Sequence, residues 1–222
     1  MRNLNLFLKR TFDIVVSFVA ILVFIVIPVM VVVPIVIKLT SKGPAMFKQT
    51  RIGKNGKPFV MYKFRTMITE QYDKNGVEIM SENRITKIGK ILRKTSLDEL
   101  PQLFNVLNGT MSIIGPRPML DYQAPRCIGE ENLRFEMRPG LTGYAQVKGR
   151  NNIIWEERIQ YDIEYVKKFT FWLDIVILFK TVLLVFKKQG TEVKAEYRGV
   201  SRFSKHYVPE EGQKNPVSEN VK

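Results

Sequence analysis

The chain has 222 residues, with 35 Lys and Arg against 21 Asp and Glu, a formal net charge of +14. That length suits one domain, or one domain with an appendage, and a hydrophobic share of 45% is too high for a disordered basic tail. A single cysteine, Cys127, excludes a disulfide framework and a Cys-type zinc site, and a single histidine, His206, excludes a His-based zinc site and a Ser-His-Asp triad. Catalysis is left to carboxylates, Lys, Arg, hydroxyls or a bound ion, and the charge points to nucleic acid, acidic lipid or a phosphorylated substrate.

Residues 14–37 (IVVSFVAILVFIVIPVMVVVPIVI) form a run of 24 without a charge. As a helix the run would reach about 36 Å, enough for a hydrocarbon core of about 30 Å. Pro28 and Pro34 each remove a helix hydrogen bond in its second half. The flanks are basic on both sides, with Lys9 and Arg10 before and Lys38 and Lys42 after. A simple crossing places most basic residues on one side. Two basic flanks therefore favour a re-entrant segment that dips in and returns at a break near Pro28, with a kinked spanning helix as the alternative. Lys9, Arg10, Lys38 and Lys42 are expected to hold its two ends at an anionic leaflet.

The composition becomes that of a soluble domain from Gly43. Met46–Ile52 and residues 57–64 flank GKNG, whose Asn55-Gly56 predicts a β-hairpin. Lys63 then projects from a strand beside aromatic neighbours. Residues 70–83 read as a polar loop. RITKIGKILRK (84–94) predicts a basic amphipathic helix, facing lipid or phosphate or simply packed on the core. Within TSLDELPQLFNVLNG (95–109), Asp98 and Glu99 stand at the start of an apolar helix. Ser96 and Glu99 have capping-box spacing, but Pro101 favours Asp98 as N-cap, beside amides that can bind phosphate. Arg93 lies five residues upstream of Asp98. Pro116-Arg117-Pro118 is a rigid turn holding one arginine.

Trp155, Ile159, Asp162, Val166 and Phe169 share one helical face. A carboxylate on an apolar stripe needs a partner, an arginine, metal or ligand, and Arg150 on the preceding turn is a candidate. The run Phe171–Phe186 (FWLDIVILFKTVLLVF) contains Asp174 and Lys180, which disfavour a span. It fits an interfacial helix or a buried core helix. Residues beyond 190 are polar and expected to be irregular.

Membrane apposition, fixed arginines and paired carboxylates suggest chemistry on a phosphorylated lipid. An aspartate can attack a phosphoryl group, with Mg²⁺ neutralising a diphosphate. KRTFD (9–13), FKQTRIGKNGKPFVMYKFRTM (47–67), TKIGKILRKTSLDELPQLFNVLNGTMSIIGPRP (86–118) and RPGLTGYAQVKGRN (138–151) occur in an order that resembles the monotopic bacterial phosphoglycosyl transferases. This bacterial sugar transferase family starts glycan assembly on a polyprenyl carrier. The resemblance spans roughly residues 5–190 and points to the small, single-domain members.

The resemblance implies transfer of a sugar 1-phosphate from a UDP-sugar to polyprenyl (undecaprenyl) phosphate, with Mg²⁺ and release of UMP. Asp98 would be the nucleophile and a metal contact, and Glu99 would assist. Lys63, Arg93, Arg117, Arg150 and Asp162 would bind substrate or phosphate, and Pro28 would mark the membrane break. Ile27 stands before Pro28 where small members often carry serine. The fold implied is α+β and mostly helical. A re-entrant membrane helix (1–42) leads to a catalytic domain (43–190) built from a small β-hairpin and interfacial amphipathic helices. A polar tail (191–222) follows. The location implied is the inner leaflet of the cytoplasmic membrane, with the catalytic domain facing the cytoplasm. Nucleic acid is not an expected partner, because no recognition helix or zinc-finger pattern is present. A non-catalytic membrane-tethered anion binder or scaffold is the alternative.

Overall fold

The computed structural model describes residues 1–26, 28–70, 83–149, 153–186 and 201–203. The architecture is α+β and mostly helical. Helices α1 (Arg2–Val26) and α2 (Val29–Thr40) lead into an antiparallel hairpin of β1 (Met46–Ile52) and β2 (Pro58–Phe64). Next come α3 (Lys87–Thr95), a 3-10 turn (Leu97–Glu99), α4 (Gln102–Leu107) and β3 (Ser112–Ile114). A 3-10 stretch (Gly129–Glu136) precedes β4 (Gly140–Thr142), α5 (Tyr144–Gly149), α6 (Trp155–Lys167) and α7 (Phe171–Phe186). β4 lies parallel to β3 in a second two-stranded sheet.

The hairpin forms as its turn residues predict. Asn55 and Gly56 both have positive φ, 57° and 70°, which Asn tolerates and Gly adopts freely. The register runs from Met46 opposite Phe64 to Ile52 opposite Pro58. The other edge of β2 is covered by a side chain. Asn105 of α4 accepts from the Tyr62 amide at 3.2 Å and donates to the Val60 carbonyl at 2.8 Å. α4 is thereby fixed to the strand that carries Lys63.

α1 is amphipathic in the inverse sense of a soluble helix. Lys9, Asp13, Ser17 and Ile21, four residues apart, are buried, whereas Phe7, Val15, Phe18, Val19 and Leu22 are exposed. The buried polar face meets the body formed by the later elements. Lys9 Nζ donates to Asp174 Oδ2 at 2.6 Å and to the Ile114 carbonyl at 2.7 Å. Tyr165 donates its hydroxyl to the other Asp174 oxygen at 2.7 Å, and Asp13 accepts from the Ile113 amide at 3.0 Å. Arg10 donates to the Val106 and Leu107 carbonyls, satisfying the C-terminal end of α4. Lys9 is thus engaged inside the protein, contrary to the reading from its position, and the half-buried Arg10 is bonded to α4. Lys38 and Lys42 are exposed.

Among the described residues no single helix is long and apolar enough to cross a membrane. α1 and α2 satisfy the length and composition together, bent by 60° at the break before Pro28. Pro34 sits within α2 without ending it. α2 returns to the body that holds α1, since Ile37 is buried with Ala45, Phe64 and Leu92. α7 presents two faces: Asp174 and Ile177 are buried, while Trp172, Phe179, Val182 and Leu183 are exposed. One face of the helix is thus part of the core, and the other is exposed and apolar. The predicted loop falls largely on 71–82, outside the described residues, as does most of the tail.

Breaking a buried ion pair by removing one partner costs about 3–5 kcal/mol, because the other charge is left without compensation. Lys9→Met is expected to lower stability by about that much, read as a fall in the thermal unfolding midpoint in detergent. Adding Asp174→Leu should recover most of the loss.

Candidate active site

Phe59 and Met61 on β2 point into the core, and Lys63 continues the same face to its edge. There its amine meets Glu99 Oε1 at 2.5 Å. The carboxylate comes from a sharp reversal after α3. Thr86 caps that helix by accepting from the Gly89 amide at 2.9 Å, and a Cβ at Gly89 would lie 2.0 Å from the Thr66 carbonyl oxygen. Only glycine lets α3 rest this closely on the strand end, where Arg93 Nε donates to Thr66 Oγ1 at 2.9 Å.

Ser96 then ends α3 in the left-handed region, at φ 57°, a conformation that costs a non-glycine residue and is often kept at functional sites. The chain turns through Leu97–Glu99 into α4, with Pro101 at the N-cap position. The expectation that Asp98 is the N-cap of the apolar helix is therefore corrected. Asp98 lies in the 3-10 turn, three residues before Pro101, and no side-chain cap bond is made at α4. The left-handed Ser96 separates this turn from α3, which sequence spacing does not reveal.

Asp98 and Glu99 are electrostatically split. Burial raises the Asp98 carboxyl above its usual range, and the Glu99 charge raises it further, against the Lys63 and Arg93 charges. Burial also works to raise Glu99, but Lys63, Arg117 and Arg51 outweigh it and hold that carboxyl below its usual range. Adjacent carboxylates with affinities pushed apart can take different roles. Among the described residues no side-chain donor is bonded to the Asp98 carboxylate, which accepts from its own amide.

The Pro116-Arg117-Pro118 turn follows β3 and is set by close backbone contact. A methyl group on Gly140 would fall 2.2 Å from the Gly115 amide nitrogen, and Gly140 donates its amide to the Pro116 carbonyl at 2.9 Å. The Arg117 carbonyl accepts from Arg134 Nη2 at 2.8 Å, and the same nitrogen donates to Asp162 Oδ2 at 2.7 Å. Asp162 thus finds a partner in Arg134. Burial raises the Asp162 carboxyl, with Arg134, Arg158 and Arg117 opposing.

Arg51 extends this group. It donates to the Pro118 carbonyl at 3.1 Å and to Gln49 Oε1 at 3.1 and 2.7 Å. Burial, with the Arg117 charge nearby, lowers its pKa to about 10. Arg158 is lowered to about 10 by burial and by Arg117, although Asp162 raises it.

The described structure brings Lys63, Arg93, Asp98, Glu99 and Arg117 into one electrostatic neighbourhood, with Asp162 linked to it through Arg134 and Arg117. Arg150 lies outside the described residues. Pro28 stands at the helix break, away from this group in the chain, and Ile27 lies outside the described residues. Sequence reasoning missed Arg51 and Arg134. A buried aspartate signals that a cation must exist, but nothing local selects one 28 residues away. Among the described residues no group of three or more His, Cys, Asp or Glu side chains could hold a metal ion.

Comparison with known proteins places this geometry. The bacterial sugar transferase family profile matches residues 4–188. The chain is 42% identical over 185 residues to an uncharacterized sugar transferase, EpsL, of Bacillus subtilis, covering 83% of this chain and 90% of that protein. It is 40% identical to an undecaprenyl-phosphate galactose phosphotransferase of Salmonella typhimurium, over 83% of this chain and 41% of the relative. It is also 41% identical to a UDP-N-acetylgalactosamine-undecaprenyl-phosphate N-acetylgalactosaminephosphotransferase of Aeromonas hydrophila, over 83% of this chain and 45% of the relative. The chain thus spans less than half the length of the latter two. With the match running through the hairpin, the carboxylate turn, the arginine turn and α6, the chain belongs to the bacterial sugar transferase family.

Proposed function

We propose that this chain transfers a sugar 1-phosphate from a UDP-sugar to polyprenyl phosphate, with release of UMP, through a covalent phosphosugar intermediate on Asp98. The observation that carries this reading is the Asp98 carboxylate. It is buried, held by no side-chain donor among the described residues, and flanked by the Lys63 and Arg93 charges. The names of the Salmonella and Aeromonas relatives support the acceptor and the general reaction. Those names differ in the sugar, galactose in one and N-acetylgalactosamine in the other, at nearly equal identity to this chain. The proposal therefore extends to a UDP-sugar and to no particular sugar.

In the first step an Asp98 oxygen attacks the phosphorus that bears the sugar. The bond from that phosphorus to the bridging oxygen breaks, and the electron pair leaves on UMP. The product is an acyl phosphate, which divides one transfer into two. In the second step an oxygen of polyprenyl phosphate attacks the same phosphorus, and the Asp98 carboxylate departs with the electron pair of the acyl–phosphate bond. Lys63, Arg93 and Arg117 hold the phosphates, as would Arg150. Glu99 keeps Lys63 in place through their 2.5 Å contact, and Arg134 and Asp162 orient the Arg117 turn. Mg²⁺ would need only one or two carboxylates from the protein, because substrate phosphates and water supply the rest of its ligands. The Asp98 oxygens suit that mode, and the ion would neutralise diphosphate charge.

The location proposed is the inner leaflet of the cytoplasmic membrane, with the body facing the cytoplasm. The inverted amphipathicity of α1 supports it, because an apolar outer face over a polar buried face is costly in water. The two arms dock on one body, α1 through Lys9 and Asp13 and α2 through Ile37. With a 60° bend, a symmetric dip sets each arm at about 30° to the interface plane, so that one arm descends and the other climbs back to the same side. That supports a re-entrant path.

Asp98→Asn is expected to reduce UMP release by at least about a thousandfold, as for other lost nucleophiles. Wild-type protein given UDP-sugar without acceptor should gain the mass of one phosphosugar. Full activity in the Asn variant would exclude the mechanism. Because Asp98 must be ionised to attack, the acid limb of activity should lie above the usual aspartate range. Lys63 lowers the Asp98 pKa, so Lys63→Met should move that limb to higher pH, and an unmoved limb counts against the role. For topology, cysteines introduced at Asn5 and Asn55 should both be labelled from the cytosolic side. Labelling from opposite sides would mean a span.

A further inference from the structure

Residues 201–203 lie beyond the range matched to the family, and the reaction above makes no use of them. Yet Phe203 is fully buried among Met119, Cys127, Ile159 and Ile163, with its ring centroid 6.3 Å from that of Trp155. The Arg202 amide and the Arg202 and Phe203 carbonyls are also paired, while Arg202 Nε and Glu156 Oε2 have no partner among the described residues. Gln123 Nε2 donates to the Phe203 carbonyl at 3.2 Å, and Arg126 Nη1 donates to the Arg202 carbonyl at 2.6 Å. On the other side, Glu156 Oε1 accepts from Ser201 Oγ at 3.0 Å and from the Arg202 amide at 3.2 Å. The Arg202 guanidinium pairs with Glu131. A polar tail lying on the surface would bury neither an aromatic ring nor backbone groups with matched partners.

These three residues add to the contacts between two elements, which also meet through Met119, Cys127, Leu133 and Phe135 against Ile159 and Ile163 and through the Arg134–Asp162 pair. Gln123, Arg126 and Glu131 belong to the segment between the Arg117 turn and Arg134, whereas Glu156 sits in the first turn of α6. Met119 follows Pro118 directly, and its carbonyl accepts from the Ile52 amide at 2.9 Å. Ile159 and Ile163 flank Asp162 on α6, and Arg134 ties Asp162 to the Arg117 carbonyl. The anchor therefore packs against both supports of the Arg117 backbone.

We propose that Ser201-Arg202-Phe203 is a positioning clamp, by which the C-terminal segment holds the Arg117 turn in the geometry that binds the donor phosphates. Phe203 touches no reacting group. It acts through Met119 and through the α6 face that carries Asp162, so its effect falls on donor binding. The clamp rests on the transferase reading proposed above.

The test compares full-length wild type, Phe203→Ala and Phe203→Leu, with the alanine change also made in an Arg117→Ala background. UMP release and amide hydrogen exchange at Ile52 are measured. Phe203→Ala is expected to raise KM for the UDP-sugar about fivefold while kcat changes less than about twofold, and to speed exchange at Ile52. Leucine restores most of both. In the Arg117→Ala background the alanine change should add nothing to KM, since residues acting through one contact are not additive. Glu156→Ala, which removes the acceptor for Ser201 and the Arg202 amide and leaves the ring itself unchanged, should move KM in the same direction and serves if the Phe203→Ala variant does not fold. Additive KM effects overturn the clamp, as does a loss of thermal stability with KM and exchange unchanged. Failure of wild type to release UMP would instead overturn the transferase reading, and the exchange measurement would still decide whether the segment holds the Arg117 turn.

Discussion

The buried pair of Lys9 and Asp174 joins α1, the longest helix among the described residues, to the body of the protein. Both charges are almost wholly withdrawn from solvent, so each is tolerable only with the other and with further hydrogen bonds. Tyr165 satisfies the second Asp174 oxygen, and the Ile114 carbonyl takes another Lys9 proton. Ile114 is the last residue of β3, immediately before the Arg117 turn. One turn along α1, Asp13 receives the Ile113 amide. The position of α1 is therefore coupled to the strand that launches the arginine turn, and a membrane-bound helix would carry the site with it at a fixed depth.

This coupling explains why α1 is built inside out. A helix packed on a soluble core buries its apolar stripe and wets the polar one. Here the buried stripe begins with Lys9, Asp13 and Ser17, and the large aliphatic and aromatic side chains face outward. If the outer face lies in lipid, the hydrophobic effect cannot bind α1 to the body, because lipid is as apolar as any core. Polar contacts in a low-dielectric setting must do so instead. Arg10 adds to them by completing the C-terminal end of α4, the helix that follows the carboxylate turn.

What the sequence revealed depended on how local each signal was. The hairpin was legible because Asn55-Gly56 encodes its own backbone geometry, and β1 falls on the expected Met46–Ile52. Asp98, Glu99 and Lys63 were legible as candidates through residue type and surroundings. The left-handed turn at Ser96 was not, since serine has no marked preference for that conformation, and the expected N-cap at Asp98 moved accordingly. Lys9 and Arg10 looked like membrane flanks because basic residues beside an apolar run usually are. Their partners stand 165 and 96 residues away, a separation at which pattern carries no information. The same limit hid Arg134, although the buried Asp162 announced that some cation must meet it. Phe203 in a polar tail looked incidental for the same reason.

The charge balance of the site is the last step in the argument. Lys63, Arg51, Arg93, Arg117, Arg134 and Arg158 act on one another or on three carboxylates, Asp98, Glu99 and Asp162. Positive charge is in excess, and two of the arginines have their pKa values lowered to about 10 by burial and by one another's neighbour Arg117. Concentrated like charge works against the folded state, so an anion that neutralises it gains more here than on open surface. A diphosphate and a lipid phosphate are anions of the required kind, and both need the guanidinium geometry that suits phosphate oxygens. In the transfer proposed, a neutral sugar would leave little mark on this cluster. The +14 of the whole chain thus has two parts: some cations, such as Lys9 and Arg10, are consumed in holding the fold, and the candidate site keeps a local excess.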